Sequence, residues 1–237
     1  MIDTDKDPMG KAIADYYKNG IAARLRVFSP DFDEDEIPVE TLFRTYDDMP
    51  SLEQKALQMA QGHILDVGAG AGCHSLALQQ MGKHSTAIDI SKLSVETMKA
   101  RGVKDVKLMD FWLVEDKYDT ILMLMNGIGI VGNTKSLPRL FAHIEKILNP
   151  GGQLIVDSTD IIYIFENADG TISLPNCDGY YGELEYRMQY KQTKGQAFPW
   201  LYIDFDTLAK QAEANGFQAL LIEQNEDNQY LARITRK

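Results

Sequence analysis

The chain has 237 residues, 44% apolar and 25% charged, with 35 acidic against 24 basic residues and a formal net charge of −11. That length suits one embellished domain, and a field of that sign repels phosphate backbones, so a nucleic-acid target is not expected. No apolar run approaches the roughly 20 residues of a membrane span. The start, MIDTDKDPMG, is polar and acidic, unlike a signal or transit peptide. Cys73 and Cys177 are the only cysteines, too few for a disulfide framework or a metal cluster. The expectation is a cytoplasmic protein with no membrane contact and no metal; a homodimer is left open.

In chain order, Asp7-Pro8 opens a helix, with Asp as cap and Pro in the first turn. Ile13, Tyr16 and Tyr17 share its face and Gly20 stops it. The pattern from Ile21 to Met49 is irregular, and the acidic run Asp31–Glu36 reads as a solvated loop. Ser51 with Gln54 spells a capping box before a second helix. His63–Val67 is a short buried strand, and Gly68–Gly72 a tight turn into a helix ending near Gly82. Ser85–Ile90 (strand), Ser91–Arg101 (helix, closed by Gly102), Asp105–Met109 (strand) and Tyr118–Met125 (strand) follow. Leu137, Leu140, Phe141, Ile144, Ile147 and Leu148 trace an amphipathic helix, which Asn149-Pro150-Gly151-Gly152 breaks before the strand Gln153–Val156. This alternation predicts a mostly parallel sheet.

The end departs from that rhythm. Asp204–Asn215 is a helix stopped by Gly216, and Phe217–Glu223 and Gln229–Thr235 are strands joined too closely for a parallel return, hence an antiparallel hairpin. Between the fifth strand and that helix lies an insertion, about Ile161–Ile203. Within it Leu184, Tyr186, Met188 and Tyr190 alternate with polar residues at the period of a half-buried strand. Gly195 marks a turn after which Trp200 and Tyr202 pair back. Its aromatic face is either a substrate wall or the packing face of an added hairpin.

The strongest chemical signal is Asp66-Val67-Gly68-Ala69-Gly70-Ala71-Gly72. Glycines at a strand-to-helix turn let backbone pass close to a ligand beside unpaired helix N–H groups. The dinucleotide fingerprint wants glycines at first, third and sixth positions; counted from Gly68 the sixth is Cys73, and from Gly70 it is Ser75, so neither frame fits. The acidic Asp66 before alternating glycines, together with the terminal hairpin, resembles the class I S-adenosylmethionine-dependent methyltransferases. The resemblance covers roughly Ser51–Lys237 apart from the insertion. It implies a doubly wound, seven-stranded α/β sheet, mostly parallel with one antiparallel strand. Residues 1–50 would add an N-terminal helical cap to a 51–237 core, and 161–203 an inserted hairpin lid.

By that resemblance S-adenosylmethionine is the cofactor, lying along Asp66, Gly68, Ala69, Gly70 and Gly72. Asp89 would accept from the ribose hydroxyls, as an acceptor-only carboxylate can; as an ordinary residue it would cap the next helix. Ile90 would lie against the adenine, Asp110 would accept from its amino group, and Phe111 would flank the ring. The fourth-strand edge, Met123 to Gly129, would face the sulfonium and the nucleophile. Asn126 either orients the cofactor's amino group or the substrate, or simply forms a turn before Gly127. No catalytic base stands at the usual place. His74, in the first turn after the glycines, is expected to be partly exposed and neutral, and His143 to be structural. Arg44 and Tyr46 lie where a lid residue would reach the cofactor's carboxylate, with a surface salt bridge as the alternative for Arg44. The expected activity is methylation of an O, N or C nucleophile on a small molecule, against a nicotinamide-dependent oxidoreductase or a non-catalytic S-adenosylmethionine-binding module. Arg44, Tyr46, Tyr186, Trp200 and Tyr202 are the candidates for contact with the acceptor.

Overall fold

The computed structural model describes residues 1–167, 169–174 and 179–237; Cys177, counted above, lies outside them. Helix α1 (Pro8–Asn19) starts as its sequence predicts: the Asp7 side chain accepts from the Gly10 amide, and Gly20 ends the helix at φ 72°. Asp7 also accepts from the Ser91 hydroxyl, tying α1 to the core. Ile13 is fully buried, whereas Tyr17, expected on the same face, is 46% exposed.

The stretch expected to be irregular instead holds two strands, β1 (Leu25–Phe28) and β2 (Asp35–Ile37), paired antiparallel. Strands of four and three residues carry too little periodicity to announce themselves, and β1 depends on a partner far along the chain. The N-terminal cap is therefore part strand, not helical throughout. The capping box expected at Ser51 does not form either. Helix α2 (Ser51–Met59) is preceded by Pro50 at the cap position. The Ser51 hydroxyl donates to Glu223, and the Gln54 amide donates to the Tyr46 and Met49 carbonyls. A capping box lies one turn earlier, between Thr45 and Asp48.

The core follows the predicted order with small end shifts: β3 (His63–Val67), α3 (Cys73–Gln80), β4 (His84–Asp89), α4 (Lys92–Arg101), β5 (Val106–Leu108), β6 (Tyr118–Met123) and α5 (Leu137–Ile147). The helix ends before Asn149–Gly152 as expected, and β7 (Leu148–Thr159) spans those residues but pairs continuously only from Gln153. Gly151 turns the backbone at φ 76°, and the extra residues bulge out at the register shift between Tyr118 and Thr120. After β7 come β8 (Glu183–Tyr190), β9 (Thr193–Lys194), β10 (Phe198–Leu201), α6 (Phe205–Ala214), β11 (Phe217–Gln224) and β12 (Gln229–Arg236).

Seven strands form one sheet in the order β11-β12-β7-β6-β3-β4-β5. Its β3, β4, β5, β6 and β7 run parallel, and β12 runs against both β7 and β11. One apolar cluster joins the sheet to α5 and α6, and another joins it to α2 and α3, so both faces are covered, as a parallel sheet requires. A second, antiparallel sheet has the order β10-β8-β1-β2, with β9 also on β8. The predicted hairpin alternation holds, with Leu184 and Tyr190 buried. Its free edge, however, is occupied by β1, where Leu25 pairs with Tyr190 and Phe28 with Arg187. The cap and the insertion are thus one layer, laid over the carboxyl ends of the parallel strands, where open α/β sheets bind ligands.

Candidate active site

Between the two sheets lies a cavity of about 1080 Å³. Its floor is made of strand ends: Asp66 near the end of β3, Gly68, Ala69 and Gly70 after it, Asp89 at the end of β4, Met125 and Asn126 after β6. Its roof comes from the antiparallel sheet, with Tyr186, Trp200 and Tyr202 facing in and Asp33, Glu34 and Asp35 at the mouth.

At the glycine turn, Gly68 and Gly70 have φ of 67° and 57°, in the left-handed region that glycine adopts without steric cost. A Cβ built on Gly68 would meet nothing within 4 Å, so bare backbone faces the open cavity there. Gly72 differs. It also has positive φ, but a Cβ there would lie 2.9 Å from Met98 and 3.0 Å from Val103, which makes it a packing glycine off the cavity wall.

Asp89 spans the turn: one carboxylate oxygen accepts from the Gly70 amide at 2.9 Å, the other from the Ser91 amide at 2.8 Å. The helix-capping role falls to Ser91, whose side chain accepts from the Ser94 amide. Burial pushes the Asp89 carboxyl up to about 6, with Asp7 and Asp66 adding to the shift and the two amides opposing it. Ligand donors facing Asp89 would complete what these amides begin.

After β6, Met125 and Asn126 hold φ of 58° and 55°, a left-handed pair that costs about 1–3 kcal/mol per residue unless its surroundings enforce it. The enforcing group is Asp157 on β7, which accepts from the Met125 amide at 3.0 Å and the Asn126 amide at 2.7 Å. Burial raises this carboxyl to about 6. The turn leaves the Asn126 side-chain oxygen buried without a partner, while its nitrogen is 3.5 Å from the Thr159 hydroxyl. An orphaned acceptor on a cavity wall calls for a donor from a ligand.

His74 is not the exposed neutral residue expected. It is 5% exposed and bonds Glu53 at 2.7 Å, and Glu53 also takes the Arg44 guanidinium at 2.7 and 2.8 Å. Burial alone would lower the His74 pKa, but the Glu53 bond and the nearby Asp66 charge carry it upward. Burial likewise opposes ionisation of Glu53, yet its two cationic partners hold its pKa down. Arg44 therefore belongs to a buried ion network, neither a surface bridge nor part of the cavity wall. Tyr46 is turned away too, accepting from the Gln58 amide.

Three more predicted residues do not reach the wall. Ile90 is 39% exposed, with its carbonyl taken by the Ile2 amide. Asp110 accepts from the Trp112 amide and caps a 3₁₀ turn. That turn drives Phe111 into the core, 4% exposed, edge-on to His143. The His143 ring N–H donates to the Phe111 carbonyl at 2.8 Å, which gives it the structural place expected.

On the roof, Trp200 lies flat on Gly129, where a Cβ would stand 2.2 Å from its ring, and Tyr202 meets Tyr186 edge-on at 6.4 Å. Sequence reading missed Phe32, Asp33, Glu34, Asp35 and Phe198 on the cavity wall. Phe198 was within reach, since it continues the alternation of Trp200 and Tyr202; the acidic run carried no such signal. Elsewhere, His63, His84 and Asp105 bring three candidate metal-ligating atoms within 4.8 Å of one another. Thr86 joins His63 and Asp105 by hydrogen bonds, so two of the three already have protein partners.

Comparison with known proteins bears on this arrangement. The methyltransferase domain family matches residues 64–152, from β3 into β7. A crystal structure of an S-adenosylmethionine-dependent methyltransferase from Bacteroides fragilis, in complex with S-adenosyl-L-homocysteine, is 52% identical. It superposes over 100% of this chain and 97% of that one, with a TM-score of 0.94. The chain belongs to the S-adenosylmethionine-dependent methyltransferases. This methyltransferase is also 30% identical over 102 residues to a cypemycin N-terminal methyltransferase from a Streptomyces species, an alignment covering 41% of this chain and 42% of that protein. It is 27% identical over 109 residues to a ubiquinone biosynthesis O-methyltransferase of Xylella fastidiosa strain 9a5c, covering 44% of each. The chain thus matches less than half the length of these two curated relatives. Among the described residues no helix of the methyltransferase is long and apolar enough to cross a membrane.

Proposed function

We propose that the protein transfers the methyl group of S-adenosylmethionine to a nucleophile on a small molecule enclosed between the strand ends and the antiparallel roof. The observation that carries this is the two-walled cavity: bare glycine backbone and a buried carboxylate on the floor, aromatic rings on the roof. The donor set suits the cofactor. Asp89 offers carboxylate oxygens to the ribose hydroxyls, Gly68 and Gly70 let backbone approach the chain between ribose and sulfur, and the orphaned Asn126 oxygen suits the ammonium of the methionine end.

The cofactor supplies an electrophilic methyl group on a sulfonium. The protein's own part is to bind, orient and dry. Asp157 fixes the Met125–Asn126 turn, so the Asn126 amide group is held in place before any ligand arrives. Trp200 and Tyr202 close over the strand ends and exclude water, and an acceptor confined between them and the floor is limited to approach in line with the bond that breaks. Such positioning is worth several orders of magnitude in rate without a dedicated base.

The test is calorimetry with S-adenosyl-L-homocysteine. We expect one site per chain and, for Asp89→Ala in a folded protein, a dissociation constant at least about tenfold higher, since each hydrogen bond to a charged group contributes about 1.5–3 kcal/mol. If NADH binds and the sulfur ligand does not, the assignment fails.

A further inference from the structure

The acceptor half of the cavity has a one-sided chemistry. Among the described residues that line it there is no Lys or Arg, whereas the segment before β2 and its first residue place Asp33, Glu34 and Asp35 at the mouth. Glu34 is spoken for by Arg26. Among the described residues, Asp35 receives only the neighbouring Glu36 amide, and no ion pair engages Asp33 or Asp35. Asp35 also lies close enough to Tyr186 and Tyr202 for its charge to add to the upward shift that burial gives both phenols. Tyr186, Tyr202 and Trp200 therefore line one wall with ring faces and edges, with unpaired carboxylates at its rim.

We infer that the methyl acceptor is an amine, recognised as its ammonium form by Asp33 and Asp35 against the Tyr186, Trp200 and Tyr202 rings, and methylated on nitrogen. This rests on the methyltransferase reading of the same cavity. Carboxylates without a cationic partner raise the local concentration of cations and repel acids and phosphates. Aromatic faces add attraction for the same charge. An anionic acceptor would enter this mouth against like charge, and His74, the histidine on the cavity lining, is already paired with Glu53.

The chemistry balances with solvent as the proton acceptor. The ammonium loses one proton to water at the mouth, and the freed lone pair forms the nitrogen–carbon bond as the carbon–sulfur bond breaks. That bond's electron pair returns to sulfur, leaving S-adenosyl-L-homocysteine and a protonated methylamine, which sheds its extra proton to solvent. The two carboxylates serve recognition, not the transfer itself.

The experiment uses the full chain and S-adenosylmethionine, with release of S-adenosyl-L-homocysteine as readout. A panel of aromatic and alicyclic primary amines is run beside matched compounds carrying hydroxyl or carboxylate in place of the amine. We expect turnover confined to the amines. For Asp33→Asn and Asp35→Asn combined, KM for the amine should rise about tenfold or more, as loss of charge-assisted contacts predicts. Affinity for S-adenosyl-L-homocysteine should stay within about twofold, because the substituted residues lie on the opposite wall. Turnover of hydroxyl or carboxylate compounds at equal or higher rate overturns the inference, as does failure of every amine in a protein that binds S-adenosyl-L-homocysteine, or an unchanged KM in the double variant. Failure to bind S-adenosyl-L-homocysteine at all is a different result, and it sinks the underlying methyltransferase reading.

Discussion

Asp89 and Asp157 stand at about 6 because burial penalises their charged forms more than the backbone amides reward them. A carboxyl raised in the folded state binds its proton more tightly there than in the unfolded chain. Its contribution to stability is complete below the ordinary value of 3.8 and is lost as pH rises through about 6. The ligand-free protein should therefore lose thermal stability across that window, and Asp89→Asn should flatten the decline. With Asp89 holding the ribose as proposed, cofactor affinity should run the other way, because hydroxyls donate best to the ionised carboxylate. We expect the S-adenosyl-L-homocysteine dissociation constant to fall as pH climbs from 5 to 7, with Asp89→Asn both weaker and insensitive. Titration calorimetry across that range checks it; parallel profiles for the two proteins would remove Asp89 from the site. The place of Asp89 on the cavity wall was legible in the sequence because its signature is local, an acid at the end of the strand after a glycine turn. Phe111 and Ile90, expected beside the adenine by the same local logic, lie off the cavity wall. Position along the chain put them beside the adenine, but a 3₁₀ turn set the direction of the Phe111 ring, and direction is not written in spacing. His74 was misjudged because its partner Glu53 sits on a different helix, α2.

At the scale of elements, the roof meets the floor through glycine. Gly129 carries no positive φ, so its lack of a side chain answers to space alone: a Cβ would lie 2.2 Å from the Trp200 indole. Gly132 also lies close beneath Pro199, at 3.0 Å, but there a φ of 82° favours glycine as well. Gly129→Ala should displace the indole while leaving β3, β4 and the glycine turn untouched. The expected outcome is a shifted Trp200 emission spectrum, an S-adenosyl-L-homocysteine affinity within about twofold of the parent, and an acceptor specificity constant down about tenfold, roughly 1.4 kcal/mol of transition-state stabilisation. Trp200→Ala should reproduce the kinetic loss. Normal acceptor kinetics in both variants, or a loss confined to thermal stability, would make the roof architectural. The insertion's alternation was readable, since a half-buried strand writes its period into the sequence. Strands β1 and β2 were not. They alternate too briefly, and the acidic residues that spell a solvated loop in one dimension become a cavity rim only once β1 lies against β8.

For the whole molecule, the two sheets differ in how they are held. Strands β3, β6 and β7 are flanked on both sides and covered by helices on both faces. The antiparallel sheet is smaller, and β2 closes it with mostly exposed residues. Opening free energies follow burial and pairing. Hydrogen exchange should find β3, β6 and β7 slowest, with β1, β2 and β8 exchanging faster and together. A bound S-adenosyl-L-homocysteine should slow the glycine turn more than the roof, whereas roof amides as slow as those of β6 would contradict a separable layer.

The pairing of β1 with β8 also orders the protein's synthesis. The N-terminal arm leaves the ribosome first, yet its partner strand emerges only after the strands up to β7 have been made, and chains fold largely in the order they are made. Until then β1 has an unpaired edge of the kind that invites mispairing, and the charges of Asp33, Glu34, Asp35 and Glu36 beside it discourage neighbouring chains from using it. The cofactor floor can take shape on a growing chain while no acceptor pocket yet exists. Synthesis of β8 and β10 is then the step that lets the roof assemble, and a chain cut before them keeps β3 to β7 with no roof over their carboxyl ends.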